Sequence, residues 1–194
     1  MALSISESQY ATLNSLFLFA YAIMYAVGGR LIDRLGTYAG FLLINVFWAL
    51  AVIAHGFSTG FVGLAISRFL LGVGEGGGFP ASSKAVSEWF PARERSTAFG
   101  LFNTGSSIGS VIAVPLFSFI MIAWGWRWVF FVAGGLGLLW SLYWAFFYRL
   151  PDQHPCITPE ELELITAAHH EEAAGVADRE PRWRELFTHR ELRC

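Results

Sequence analysis

Four long stretches of this chain contain no Asp, Glu, Lys or Arg, and their lengths constrain what it can fold into. They cover residues 8–29, 35–67, 96–126 and 128–148, which is 22, 33, 31 and 21 residues. About 20 apolar residues in a helix cross roughly 30 Å of hydrocarbon, so every stretch is long enough to span a bilayer. The 33-residue stretch divides at His55-Gly56-Phe57-Ser58-Thr59-Gly60, a turn-like run. Its second part continues through Arg68 and Glu75 to about Ser83. The expectation is an all-α integral membrane protein with a transmembrane bundle over residues 1–150. Five spans are predicted at about 11–31, 38–55, 61–83, 96–122 and 128–149.

Charge is distributed to match. Residues 1–150 hold 8 Lys/Arg and 5 Asp/Glu, whereas residues 151–194 hold 5 Arg and 10 Asp/Glu. The second segment therefore reads as a polar, partly helical tail. Thr158-Pro159-Glu160-Glu161 has the form of an N-cap, a proline at N1 and a capping-box Glu, predicting a helix to about Gly175. Leu162, Ile165 and Ala168 would form its apolar stripe, and His169 and His170 read as solvated. Trp183–Phe187 is expected to be a second short amphipathic element. The chain has no basic block, so nucleic acid is not an expected partner. Cys156 and Cys194 imply neither a disulfide framework nor a metal site, and no cofactor is expected. No nucleophile–base pair or metal-ligand cluster lies in the spans, which argues against a membrane-embedded enzyme.

With five crossings, one side of the membrane receives Arg30, Arg34, Lys84, Arg93, Arg95 and Arg149, and the other only Arg127. The positive-inside rule then puts the tail in the cytoplasm and Met1 outside, with Trp124, Trp126 and Trp128 at the outer interface.

The third span carries Arg68 and Glu75. Each ionisable group at a helix centre costs about 2.5–3.5 kcal/mol on insertion scales. The span's large apolar residues return about 3–5 kcal/mol, so this helix needs neighbours, and its charges must face protein or water. Seven residues are almost two turns, placing both groups on one face about 10.5 Å apart along the axis. Two readings stand open: a structural ion pair, or a substrate and proton site lining a cavity. A carboxyl group in a poorly hydrated cavity can hold a proton near neutral pH. Arg68 keeps its charge and suits a fixed partner for a carboxylate.

Gly72/Gly76 and Gly74/Gly78 have small-xxx-small spacing for close helix approach, and Pro80 follows. In the fourth span Asn103, Ser106, Ser107 and Ser110 form one polar stripe, to be read as packing glue or as ligand contacts. Asn103 and Ser106 are the candidates for sugar-hydroxyl contacts. Tyr21 is either a core tyrosine or a substrate contact. The segment from Gly28 to Gly36 reads as a loop. In it Gly28 and Gly29 allow close packing, Asp33 and Arg34 make rim contacts, and Gly36 makes a sharp turn; a plain solvated loop is the alternative.

Gly29-x-Leu31-x-Asp33-Arg34-x-Gly36 resembles the loop motif of the major facilitator superfamily, although Thr37-Tyr38 replaces the usual basic residues. The run from Arg68 to Ala81 is similar to the anion:cation symporter family of that superfamily. Glu88-Trp89-Phe90-Pro91, Arg93-Glu94-Arg95, Phe102–Ser106 and Gly125-Trp126-Arg127 add to the likeness. Within that family the chain looks most like hexuronate or sugar-acid:proton symporters. The resemblance covers about residues 8–190.

It implies that the five spans are helices two to six of a twelve-helix carrier in the cell membrane. The chain would then be a partial N-terminal six-helix bundle whose partners are the other half of the transporter, a small anionic substrate, protons and lipid. It implies Glu75 as the proton-coupling carboxylate, with Arg68, Tyr21, Asn103 and Ser106 on the substrate side. The motif Gly29, Asp33, Arg34 and Gly36 would act in conformational change. Alternating access needs two bundles, so the chain alone is not expected to transport. The alternatives are an organophosphate:phosphate exchanger of the same superfamily, which would favour paired basic residues, and a non-transporting truncated membrane protein.

Overall fold

The computed structural model describes residues 5–177, and within them every element is helical. The order is α1 (Glu7–Leu35), α2 (Thr37–Phe57), α3 (Phe61–Gly76), α4 (Gly78–Trp89), α5 (Ala92–Trp124), α6 (Trp126–Phe147) and α7 (Pro159–Ala177), with a 3-10 turn at Pro151–Gln153. Four of these helices, α1, α2, α5 and α6, are long and apolar enough to cross a membrane. The expected element at Trp183–Phe187 lies outside the described residues.

The expected span 61–83 is divided in two. Pro80 has no N–H to give to the Gly76 carbonyl, so the ladder skips one rung there. Bonding resumes when Ala81 N–H donates to Gly77 O at 3.2 Å. Gly77 keeps helical angles (φ −82°, ψ −16°), so α3 and α4 form one interrupted helix. At 1.5 Å per residue the 16 residues of α3 rise only about 24 Å, and α4 supplies the remaining length of a crossing.

α1 begins earlier than expected because Ser6 and Gln9 form a capping box. Gln9 N–H donates to Ser6 Oγ at 3.2 Å and Ser6 N–H to Gln9 Oε1 at 3.0 Å. It also ends later. Arg30–Leu35 is helical, and only Gly36, at φ +77°, makes the turn into α2. The expected loop around Asp33 is therefore the last turn of a helix. Likewise α2 continues through His55 and Gly56 to Phe57, so the turn is confined to residues 58–60.

α3 packs between α1 and α2, α2 packs on α6, and α5 lies against α6 and α4. The glycines of α3 make this possible. A Cβ on Gly76 would stand 2.5 Å from Tyr21 O, and one on Gly72 would collide with Phe17 O, both on α1. Gly74 faces Trp48 of α2 in the same way, whereas Gly78 and Gly29 have open space, contrary to the packing role expected of them. Between α2 and α6, Asn45 Nδ2 donates to Ser141 Oγ at 2.8 Å and Gly137 O at 3.2 Å, a polar tie inside the apolar layer.

Candidate functional site

At 100° per residue, Arg68, Glu75 and Phe79 fall on one stripe of α3–α4, beside the Gly72/Gly76 stripe that meets α1 and away from Gly74, which meets α2. Glu75 is exposed and Arg68 half-buried on that stripe. They form no ion pair within 4.0 Å of each other. The stripe lies on an uncovered face of the bundle beside α1, and Phe79 at its end meets Phe99 of α5.

Tyr21 is held at the level of Glu75, since the α1 backbone at Tyr21 touches Gly76. Its ring lies 5.9 Å from Phe17 and 6.0 Å from Tyr25. The structure thus brings Tyr21, Arg68 and Glu75 to one side of the bundle. Asn103 and Ser106 belong to α5, beyond Phe99, whose ring lies 6.1 Å from Phe79. The polar stripe of α5 is exposed and makes no cross-helix glue in the described residues. Ser107 and Ser110 return their hydroxyls to Asn103 O and Ser106 O of their own helix, each at 3.0 Å. Ser106 also borders a shallow apolar groove with Val86, Phe90 and Phe102.

A second group of contacts gathers where α1, α2, α4 and α6 end, on the side of the bundle that carries the tail. Asp33 Oδ1 pairs with Lys84 Nζ at 2.6 Å. Arg34 is exposed, Gly36 makes the turn, and Gly29 is an unobstructed helix position. Directly after Gly36, buried Thr37 donates from Oγ1 to Glu88 Oε1 at 2.6 Å. Tyr148 OH donates to Glu88 Oε2 at 3.2 Å. Burial pushes the Tyr148 phenol well above the ordinary tyrosine value, and the charge of Glu88 adds to it. The tail docks here too. Thr158 and Glu161 form the expected capping box, but His169 is half-buried rather than solvated, its Nε2 3.0 Å from Ser87 O. His154 meets Trp89 edge to face at 5.2 Å.

At the opposite end Arg127 donates to Gly56 O at 3.0 Å and Ser58 O at 3.1 Å, and lies over the Trp126 ring. His55 is buried there. Its Nδ1 reaches Ala51 O at 2.8 Å, a contact that requires the proton on Nδ1. Its Nε2 has no partner among the described residues. Sequence reasoning missed Thr37, Glu88, Tyr148 and His55. Only Glu88 gave a signal, as one of three acids, with Asp33 and Glu94, among the basic residues of the tail-side rim.

Residues 1–192 match the family model described as Major Facilitator Superfamily. A galacturonate transporter of Dickeya chrysanthemi is 38% identical over 185 residues, which is 95% of this chain and 54% of the relative. A hexuronate transporter of Escherichia coli (strain K12) is 39% identical over 163 residues, 84% of this chain and 38% of the relative. A probable sulfoacetate transporter of Cupriavidus necator is 34% identical over 186 residues, 95% of this chain and 43% of the relative. The chain therefore spans about half or less of the length of these relatives, all named as transporters.

Proposed function

The chain belongs to the Major Facilitator Superfamily, and from that membership we propose that it forms part of a proton-coupled carrier for a hexuronate or a closely related sugar acid. The observation that carries this reading is the stripe of α3–α4. An arginine and a carboxyl group share one uncovered face, unpaired with each other, in a helix whose neighbours are apolar. Maintaining two such groups there is costly unless they meet a polar partner that comes and goes. A small organic anion and a proton are such partners.

In this reading Arg68 attracts the substrate carboxylate, and Tyr21, Asn103 and Ser106 contact its hydroxyls. Glu75 takes a proton from one side of the membrane and releases it on the other, so that anion and proton cross together. Alternating access requires a second bundle rocking against this one, so transport belongs to the whole carrier. The Gly29–Gly36 motif, tied to α4 through Asp33–Lys84, serves the conformational change. Six of the seven rim cations lie on the tail side, which supports a cytoplasmic tail in the cell membrane.

The test is uptake by a full-length carrier containing this chain, reconstituted in vesicles. An inward proton gradient should drive galacturonate accumulation above equilibrium, and a protonophore should abolish it. Accumulation indifferent to the gradient would refute the proton-coupled reading, and no movement of galacturonate would refute the substrate.

A further inference from the structure

α7 meets the bundle at the corner where α4 ends and α5 begins. Leu162, Ile165 and His169 form the half-buried side of the helix, and Ile157 before it is half-buried too. The seam is not closed. An open gap of about 330 Å³ lies where Ile157, Leu164 and Ile165 face Trp89, Phe90 and Glu94. A second, of about 230 Å³, lies where Leu162, Ile165 and His169 face Glu88 and Asp152. Each is large enough for several water molecules, so apolar packing alone does not fix α7 there.

The contact that closes the seam is polar. His169 Nε2–H donates to Ser87 O at 3.0 Å, the ring nitrogen carrying the proton because a carbonyl only accepts. The same carbonyl accepts from Arg95 Nη2 at 3.1 Å, using its second lone pair. When α7 leaves, Ser87 O therefore keeps a donor and His169 turns to water. No buried group is orphaned, which is the event that makes a hydrogen bond costly to break. The transmembrane helices are joined differently at this corner. Thr37 is buried and holds Glu88 at 2.6 Å, so parting them strands a polar group. One corner thus carries two grades of attachment, firm among α2, α4 and α6 and easily opened for α7.

We propose that α7 is a detachable strap, docked on the α4–α5 corner through a clasp between His169 and Ser87, that comes off this corner in each transport cycle. Ser87 precedes Glu88 and follows Lys84 by three, so the clasp bears on the turn that ties α1, α2 and α6 to α4. Alternating access moves this bundle against a second one, and a strap fixed permanently across its tail-side corner would oppose that movement. The proposal rests on the reading of the chain as part of an alternating-access carrier.

The experiment uses the full-length carrier with its native cysteines replaced by serine. Glu94→Cys and Leu164→Cys place thiols on opposite sides of the larger gap, and a short bis-methanethiosulfonate reagent bridges them reversibly. Cross-linking should lower galacturonate uptake about ten-fold or more, as blocking an obligatory conformational step does. Reductant should restore it, and neither single-cysteine variant should respond to the reagent. Hydrogen exchange needs no substrate. His169→Ala should speed exchange of the amides of residues 163–170 about two- to ten-fold, the worth of one hydrogen bond, and leave those of α2 unchanged. His169→Gln keeps a donor and should keep the parental rate. Full uptake by the cross-linked carrier, no cross-link at all, or equal exchange in His169→Ala and the parent would overturn the proposal. The first result would make α7 a permanent strut. Failure of the carrier to take up galacturonate before cross-linking would instead refute the sugar-acid reading, with hydrogen exchange still deciding whether the clasp opens.

Discussion

Thr37 Oγ1 and Glu88 Oε1 are 2.6 Å apart across 51 positions of sequence, joining the first residue of α2 to the end of α4. Tyr148, at the end of α6, takes the second oxygen of the same carboxylate. One turn of α4 thereby connects α1 through Lys84–Asp33, α2 and α6 through Glu88, and α7 through the Ser87 carbonyl. The side chain that follows Gly36 in the motif is a hydroxyl here, and it meets its acid by hydrogen bonding rather than by charge pairing.

Removing that hydroxyl should destabilise the bundle. A hydrogen bond to a charged group is worth about 1.5–3 kcal/mol, and Thr37 is buried. Thr37→Val should lower the thermal midpoint in detergent by several degrees, and Thr37→Ser should preserve most of it. Equal midpoints for the valine variant and the parent would show that Glu88 finds another donor.

Tyr148 gives an alkaline signature. Its folded-state value lies above the ordinary tyrosine value near 10, through burial first and Glu88 second. Below pH 10 both the folded and unfolded chains keep the proton. As pH rises further the unfolded chain loses its proton first, so stability falls. An ultraviolet titration should show one tyrosine ionising after the others, and Tyr148→Phe should remove that late component. A parent and variant with superimposable titrations would contradict the buried environment.

The glycines divide into two classes that substitution should separate. Gly72→Ala and Gly76→Ala drive a Cβ into the α1 backbone, and overpacking of this kind costs about 1–3 kcal/mol. Gly78→Ala and Gly29→Ala meet nothing within 4 Å and replace a poor helix former, so they should be neutral or stabilising. Thermal melts of the four variants decide it, and equal losses in all four would refute the packing account.

The apolar architecture was legible because it depends on length and charge alone. α1, α2, α5 and α6 are each built on an uncharged window, with charged residues only toward their ends, and no strand occurs among the described residues. What escaped was set by single atoms. The rung missing at Pro80 splits a span that hydropathy reads as continuous. The Ser6–Gln9 capping box was present in the letters but masked by the charge of Glu7. Gly29 looked like a packing glycine because glycine is short, yet its surroundings decide that role, and they are open. His169 read as solvated because a helix stripe does not reveal that Ser87 offers a carbonyl 82 positions away. The Arg68–Glu75 stripe was visible from a spacing of seven. The ring contacts from Tyr25 through Phe79 to Phe99 were not, since they join helices distant in sequence.

The central claim is that Glu75 carries the coupled proton, and Glu75→Gln in the full-length carrier tests it most directly. Glutamine keeps the size and polarity of a protonated carboxyl group but cannot release a proton. The account predicts that this variant still exchanges labelled galacturonate for unlabelled galacturonate across the vesicle membrane and no longer accumulates it under a proton gradient. Accumulation at the parental level would contradict the account.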